Sequence, residues 1–281
     1  MLISFDVKSA IDARRSARSY KMDRLDVEVF GTIQEFTGAL EIPFDHHTSI
    51  RFFEAEPTKE LYFSMKSPPC NVAFLSETDV ISISKTGFIG ELVILLAQSL
   101  GAATCWYGHY RLSKLEELMP HLESKEQISE ANMGYGYSKG VTTGVRAICI
   151  SPLGYYEDKG LRLMDRITAG SISFKRKEIQ ELMADPADYA RLSAEFKYAL
   201  DLGRKAPSAG NAQMWRFGIE DDGKTITIAM PKDYKHFKWE HPDVDIGICA
   251  SHVWLGLVNL GYDPKVHVTE EDKRAVWRIS V

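Results

Sequence analysis

No two of the four cysteines stand close together: they occupy positions 70, 105, 149 and 249. That spacing excludes the CxxC pairs of zinc sites and thiol–disulfide enzymes. Their neighbours are apolar, as in Ala147-Ile148-Cys149-Ile150 and Gly247-Ile248-Cys249-Ala250, so they read as small core residues kept reduced. Charge of one sign is also scarce. The net charge is only −5 and most of the 34 Lys and Arg are dispersed, which points away from nucleic acid or an anionic membrane as a global partner. The opening Met1-Leu2-Ile3-Ser4-Phe5-Asp6 has no basic segment running into an apolar one, so no secretory leader is evident. The longest apolar run, Leu92 to Ala97, is far too short to span a bilayer. His46, His47, His236 and His241 lack ligand spacing and imply no metal. A soluble, cytoplasmic protein is the expectation.

The chain's 281 residues suffice for a large buried core in one or two domains. Lys8 to Arg15 reads as a short helix, and Asp23 is a candidate N-cap for a second one carrying Leu25, Val29, Ile33 and Phe36 on one face. Ile50 to Phe53 and Asn71 to Leu75 read as strands. The stretch Gly87 to Gly101 is apolar on nearly all sides, as in a helix buried at the centre of a fold. Ser113-Lys114-Leu115-Glu116 has capping-box spacing, the four glycines between 134 and 144 mark a turned loop, and Val145 to Ile150 is a strand. A charged connector, Asp158 to Lys177, leads to a helix over Tyr189 to Arg204. Then come a turn at Asp221-Asp222-Gly223, an alternating strand over Thr225 to Ile228, a second buried helix over Asp245 to Leu260, and a strand over Lys265 to Val268.

The two buried helices repeat one another. Aligning Gly87 with Gly247 also matches Val93 with Val253, Leu95 with Leu255, Leu100 with Leu260 and Gly101 with Gly261, five identities in fifteen positions. Glycine at both ends argues for a duplicated unit. No low-complexity linker separates the halves, so the expectation is a single domain over 1–281 made of two half-units, about 1–168 and 169–281.

Three further stretches stand out. Ala206-Pro207-Ser208-Ala209-Gly210-Asn211-Ala212-Gln213-Met214-Trp215-Arg216-Phe217 joins a helix to a strand with more hydrogen-bonding capacity than a turn needs. A surface loop satisfying its own backbone is the plainer reading. Arg14, Arg15 and Arg18, with Ser16, form a basic cluster suited to a phosphate or to solvent. Lys175-Arg176-Lys177 is a second such cluster. Trp106, Tyr107, Gly108 and His109 follow the first buried helix as core packing or as cover for a flat ligand.

Together these segments resemble FMN-dependent nitroreductases. Ala13-Arg14-Arg15-Ser16-Ala17-Arg18-Ser19-Tyr20 is similar to the family's Arg-Arg-Ser-x-Arg-x-Phe signature. Ala206 to Phe217 is similar to its Ala-Pro-Ser-Ala-x-Asn-x-Gln-Pro-Trp-x-Phe motif, with Met214 in place of Pro. Gly87 to Gly108 is similar to its central helix and the Leu-Gly-x-x-Thr-Cys-Trp-x-Gly that follows. In ordinary members the Pro-Ser-Ala motif lies soon after Arg-Arg-Ser, whereas here Ala39 to Phe53 carries none. The chain therefore resembles the homodimer of that family fused and pruned, as in the single-chain TM1586-like group.

That resemblance implies an α+β fold, a mixed sheet flanked by helices, in a pseudo-dimer. It implies one FMN per chain, held by Arg14, Arg15, Ser16, Arg18, Trp106, Tyr107, Gly108, His109, Arg176, Pro207, Ser208, Ala209, Asn211 and Gln213. NADH or NADPH would be the transient electron donor, and a nitroaromatic, a quinone or another electron-poor molecule the acceptor. No side-chain nucleophile is implied. A monomer suffices when the pseudo-dimer is internal. A non-catalytic flavin- or ligand-binding protein on the same fold is the alternative.

Overall fold

The computed structural model describes residues 3–63, 65–119, 145–157, 175–220, 223–234 and 241–281. The glycine-rich loop at 134–144, most of the 158–177 connector, Asp221-Asp222 and His236 lie outside the described residues. In chain order the first part contains α1 (Val7–Ala13), α2 (Val27–Gly38), β1 (Ser49–Glu54), β2 (Cys70–Glu77), α3 (Val80–Ser99), β3 (Ala103–Thr104), α4 (Leu112–Leu118) and β4 (Val145–Gly154). The second contains α5 (Ile179–Leu182), α6 (Pro186–Arg191), α7 (Ala194–Arg204), β5 (Arg216–Ile219), β6 (Thr225–Ala229), α8 (Asp243–Asn259), β7 (Lys265–Glu271) and β8 (Arg274–Ser280).

In place of one mixed sheet, the described residues form two four-stranded antiparallel sheets, ordered β1-β2-β4-β3 and β5-β6-β8-β7. All the strand pairs are antiparallel. Parallel pairing is confined to isolated bridges, Ser16 with Thr104 and Met183 with Phe217. Numbered within its own half, each sheet has the strand order 1-2-4-3, and a long buried helix joins its second strand to its third.

Those helices, α3 and α8, form the core. In α3, Asp79 caps the start by accepting the Ser82 N–H at 2.9 Å. The helix ends in a Schellman motif: Ala102 N–H reaches Ala97 O and Gly101 N–H reaches Gln98 O. Helix α8 ends in the same way, through Tyr262 to Leu257 and Gly261 to Val258. Gly101 and Gly261 take φ values of 81° and 89°, a conformation other residues adopt only at a cost. Among the described residues, α3 alone is long and apolar enough to cross a membrane by length and composition, and it is mostly buried inside the fold.

The two helices touch backbone to backbone. A Cβ on Gly87 would lie 2.1 Å from the Val244 carbonyl oxygen, and one on Gly247 would lie 1.7 Å from that of Ser84. Val244 stands three residues before Gly247, and Ser84 three before Gly87. The contact is thus reciprocal, as at a two-fold interface. Around it pack Phe88, Leu92, Leu95, Ile248, Val253 and Leu255, all essentially inaccessible.

Several local expectations are corrected. Helix α2 begins four residues after Asp23, and its N-cap, Asp26, makes no side-chain cap bond. Ser113 lies inside α4 rather than capping it. The Tyr189–Arg204 helix is two, because Ser193 accepts the Phe196 N–H and starts α7 afresh. Strand β8 adds a central member of the second sheet that the sequence reading does not contain.

Two buried carboxyls open α8. Asp243 accepts the Ala275 N–H at 2.8 Å, and Asp245 accepts the Ala209 N–H at 2.9 Å. Burial pushes Asp243 up to about 6 and Asp245 up to about 8, the latter helped by the nearby charges of Asp243 and Glu91. Asp245 thus holds its proton in the folded chain over a pH range where the unfolded chain releases it. Its burial costs no stability below its unfolded pKa. The cost grows as pH rises from about 4 to about 8, by about 1.4 kcal/mol per unit. Asp245→Asn keeps the acceptor for Ala209 and removes the ionisation, so urea melts at pH 8 should show the variant more stable than the wild type and the gap closing toward pH 4. Gly247→Ala should cost about 3 kcal/mol, since it forces α3 and α8 apart. Gly31→Ala in α2, whose Cβ meets nothing within 4 Å, should stabilise by roughly 0.5–1 kcal/mol. Chemical denaturation of the two variants side by side checks both.

Candidate functional site

The first basic cluster leaves α1 in an extended conformation. Ser16 bridges to Thr104 of β3, and the Ala17 N–H donates to the Thr104 carbonyl at 2.8 Å. The segment carrying Arg14, Ser16 and Arg18 thereby lies along the edge of the first sheet. Beyond Thr104, Tyr107 exchanges both backbone hydrogen bonds with Ile150. This holds Trp106, Tyr107, Gly108 and His109 half-buried on the same edge. Tyr107 packs edge-on against Tyr62, ring centres 5.0 Å apart. Arg15 turns outward, its guanidinium 5.9 Å above the Tyr156 ring.

The second motif comes to the same place from the other half. Helix α7 ends at Arg204, and the next residue, Lys205, reaches back to Asp12 of α1 at 2.9 Å. Pro207 is buried, and Ser208 to Gln213 form a tight turn containing a single 3-10 turn at Ala209–Asn211. Three residues there have positive φ: Gly210 at 58°, Asn211 at 55° and Gln213 at 48°. For the two that are not glycine this is a costly conformation, held by the bonds around it. The Gln213 N–H donates to Ser208 Oγ, its side-chain oxygen accepts the Lys177 N–H, and its amide nitrogen donates to the Lys175 carbonyl. Arg176 donates to Asn211 Oδ1 and to the Lys205 carbonyl, both at 2.8 Å. Gln213 and Arg176 therefore brace the turn.

Two of the motifs meet at Glu91, a carboxylate with no exposed side-chain surface in the middle of α3, and the turn is linked to it through Arg176, which bonds Asn211 and feels the charges of Arg14 and Glu91. Glu91 Oε2 accepts Trp106 Nε1–H at 2.6 Å. Gly90 makes room, since a Cβ there would lie 2.4 Å from the Trp106 ring. Its Oε1 lies 2.9 Å from His252 Nε2 of α8 and 3.7 Å from Arg14 Nε. The Arg14 side chain is only 4% exposed, yet among the described residues its Nε and Nη1 have no hydrogen-bond partner, and neither has the buried Thr104 Oγ1. Arg176 adds further positive charge. Burial, with repulsion from Arg14 and Arg204, lowers its pKa to about 10. Buried guanidinium nitrogens without acceptors are costly. An anion with several acceptor oxygens is the group that would satisfy them.

The sequence reading passed over Glu91, His252 and Asp245. The signal was present: ionisable residues inside helices that are otherwise largely apolar. Among the described residues, no group of three or more His, Cys, Asp or Glu is placed to hold a metal ion.

The corresponding place on the other side of the core is built differently. Lys85 stands two residues before Gly87, as Asp245 stands two before Gly247. It donates to the Asp45 carbonyl at 2.6 Å and lies over the Phe44 ring. Phe44 packs on Phe88 and Trp277, and those two rings stack 5.2 Å apart.

A family described as "Putative TM nitroreductase" matches residues 6–257. Among solved structures, the "putative nitroreductase" TM1586 of Thermotoga maritima superimposes with a TM-score of 0.63 at 17% identity, covering 98% of this chain and 93% of that one. An FMN-dependent nitroreductase of Clostridium difficile gives 0.37 at 15% identity, covering 60% and 98%. NfrA2 of B. megaterium gives 0.40 at 16%, covering 66% and 82%. A search of curated proteins found no match. With the family match running over nearly the whole chain, this protein belongs to the TM1586-like nitroreductase family.

Proposed function

We propose that the chain is an FMN-dependent NAD(P)H oxidoreductase with one flavin site, assembled from two half-units of about 1–168 and 169–281. The observation that carries this reading is Arg14, whose buried Nε and Nη1 lack acceptors among the described residues, beside the Glu91 that also holds Trp106. A flavin phosphate supplies the anion they need. Arg14, Ser16 and Arg18 would hold the phosphate and polar edge from one half, with Arg15 at the exposed rim. Pro207, Ser208, Ala209 and Asn211 would line the other side through the contour of the turn, since the Ala209 and Asn211 N–H groups are already taken by Asp245 and by the Ser208 carbonyl. Trp106, Tyr107, Gly108 and His109 would close the site from the sheet edge. Arg176 and Gln213 would shape it indirectly by bracing the turn.

Bound there, FMN supplies hydride exchange between NADH or NADPH and an electron-poor acceptor such as a nitroaromatic or quinone. The chain's own residues bind and orient it, and the positive charge of Arg14 and Arg176 favours added negative charge nearby. One site per chain follows from the asymmetry of the core. Where Asp245 supports the turn at Ala209, the equivalent Lys85 supports a loop whose Phe44 packs on Phe88 and Trp277. With both halves in one chain, a monomer in the cytoplasm suffices.

A second reading is a flavin- or ligand-binding protein without turnover. It is favoured by Arg176, Asn211 and Gln213, whose polar atoms bond to one another and to backbone. Anaerobic addition of NADH or NADPH to the FMN-loaded protein separates the two. An oxidoreductase should lose its visible flavin band within the mixing experiment, whereas a band that persists with both donors supports the binding protein. Arg14→Ala should weaken FMN binding about tenfold or more, the scale of one charge-assisted hydrogen bond. Ser208→Trp should weaken it comparably by filling the turn from the opposite half. Fluorescence titration of FMN into each variant checks this, and normal affinity in both would refute a site shared between the halves.

A further inference from the structure

Glu91 Oε1 faces two cationic or potentially cationic groups and satisfies only one. It lies 2.9 Å from His252 Nε2 but 3.7 Å from Arg14 Nε, beyond hydrogen-bond reach. The other imidazole nitrogen, His252 Nδ1, lies 3.0 Å from the Leu202 carbonyl oxygen. A carbonyl only accepts, so Nδ1 carries a hydrogen. A neutral ring would then turn a bare Nε2 lone pair toward Glu91. That contact is attractive only if a proton lies between the two atoms. The imidazole and the carboxyl therefore share one proton and together carry no net charge. All of Glu91, and the His252 side chain with it, are inaccessible to water.

We infer that His252 is a positioning residue for the anion-binding guanidinium: it draws Glu91 onto itself and so leaves Arg14 Nε and Nη1 available to a ligand. This deepens the flavin reading and rests on its Arg14 site. Without His252, the nearest base to Arg14 is a buried carboxylate with an unmatched charge. The two would close into a hydrogen-bonded ion pair, the ordinary fate of a buried arginine beside a carboxylate. The donors would then be spent inside the protein. His252 also links this point to the second half, because Leu202 lies in α7, the helix that leads into the Pro207–Gln213 turn.

The test reads Arg14 directly, by proton–nitrogen NMR of the arginine side chains in the ligand-free full-length protein, with Arg14 assigned by its loss in Arg14→Lys. In the wild type the Arg14 Nε–H should resonate in the range of an arginine without a carboxylate partner. In His252→Gln it should move downfield and exchange more slowly, as Glu91 closes on it. FMN affinity, measured in parallel, should fall about tenfold in His252→Gln. It should recover to near the wild-type value in the Glu91→Gln/His252→Gln double variant, where no carboxylate competes. A His252 that merely packs the core would give no recovery, because the second substitution would add damage. A wild-type Arg14 Nε–H already bonded to a carboxylate overturns the inference, and this arm needs no substitution at His252 or Glu91, only the conservative Arg14→Lys for assignment. If the wild type binds no FMN, the flavin reading fails and the Nε–H comparison alone still decides the role of His252.

Discussion

The backbone contact between two buried helices governs the rest of this molecule. Gly87 and Gly247 let α3 and α8 approach until one helix's carbonyls sit where the other's side chains would begin. That closeness brings Glu91 of the first helix against His252 of the second, and it sets Asp245 beneath the Ala209 turn. A wider separation would leave each of these buried polar groups without its partner, at the cost of stranded hydrogen-bonding groups in an apolar core. The glycines thus fix the distance at which the two halves combine into one site.

Symmetry and its loss both matter. The strand order, the helix placement and the Schellman ends repeat between the halves. The groups lining the two sides of the core do not. One side presents buried guanidinium groups, a carboxylate and a strained polar turn. The other presents Phe44, Phe88 and Trp277 in mutual contact, with Lys85 at the position equivalent to Asp245. Aromatic packing stabilises the second side without a ligand, whereas the first keeps buried donors unmet. A chain holding both halves is free to specialise in this way, since neither side has to mirror the other.

Much of this was legible in the sequence because backbone constraints write themselves in glycine. The repeat emerged from glycines fourteen residues apart, which are the close-contact and helix-ending positions of α3 and α8. The motif segments were legible as stretches, and the fold brings Arg14 and Trp106 of two of them to Glu91 and ties the third to α1 through Lys205 and Asp12. What each does was not. Gln213 and Arg176 are ligands only by what the resemblance implies, and here their hydrogen bonds run to Lys175, Lys177, Lys205 and Asn211 of the same protein. The Glu91–His252 contact joins residues 161 apart, and no local spacing announces such a pair. Helix starts were displaced because a cap-forming residue type, Asp23 before α2 or Ser113 in α4, does not fix a start until tertiary packing selects the helix's first turn.

The central claim is that two unequal halves build one anion-centred flavin site. Calorimetric titration of FMN into the full-length protein, with the chain's mass in solution fixed by sedimentation, tests it most directly. The account predicts one FMN bound per chain. Two per chain would show that the side filled by Phe44 and Trp277 also opens to the cofactor, and none at saturating FMN would show that Arg14 is not held in reserve for it.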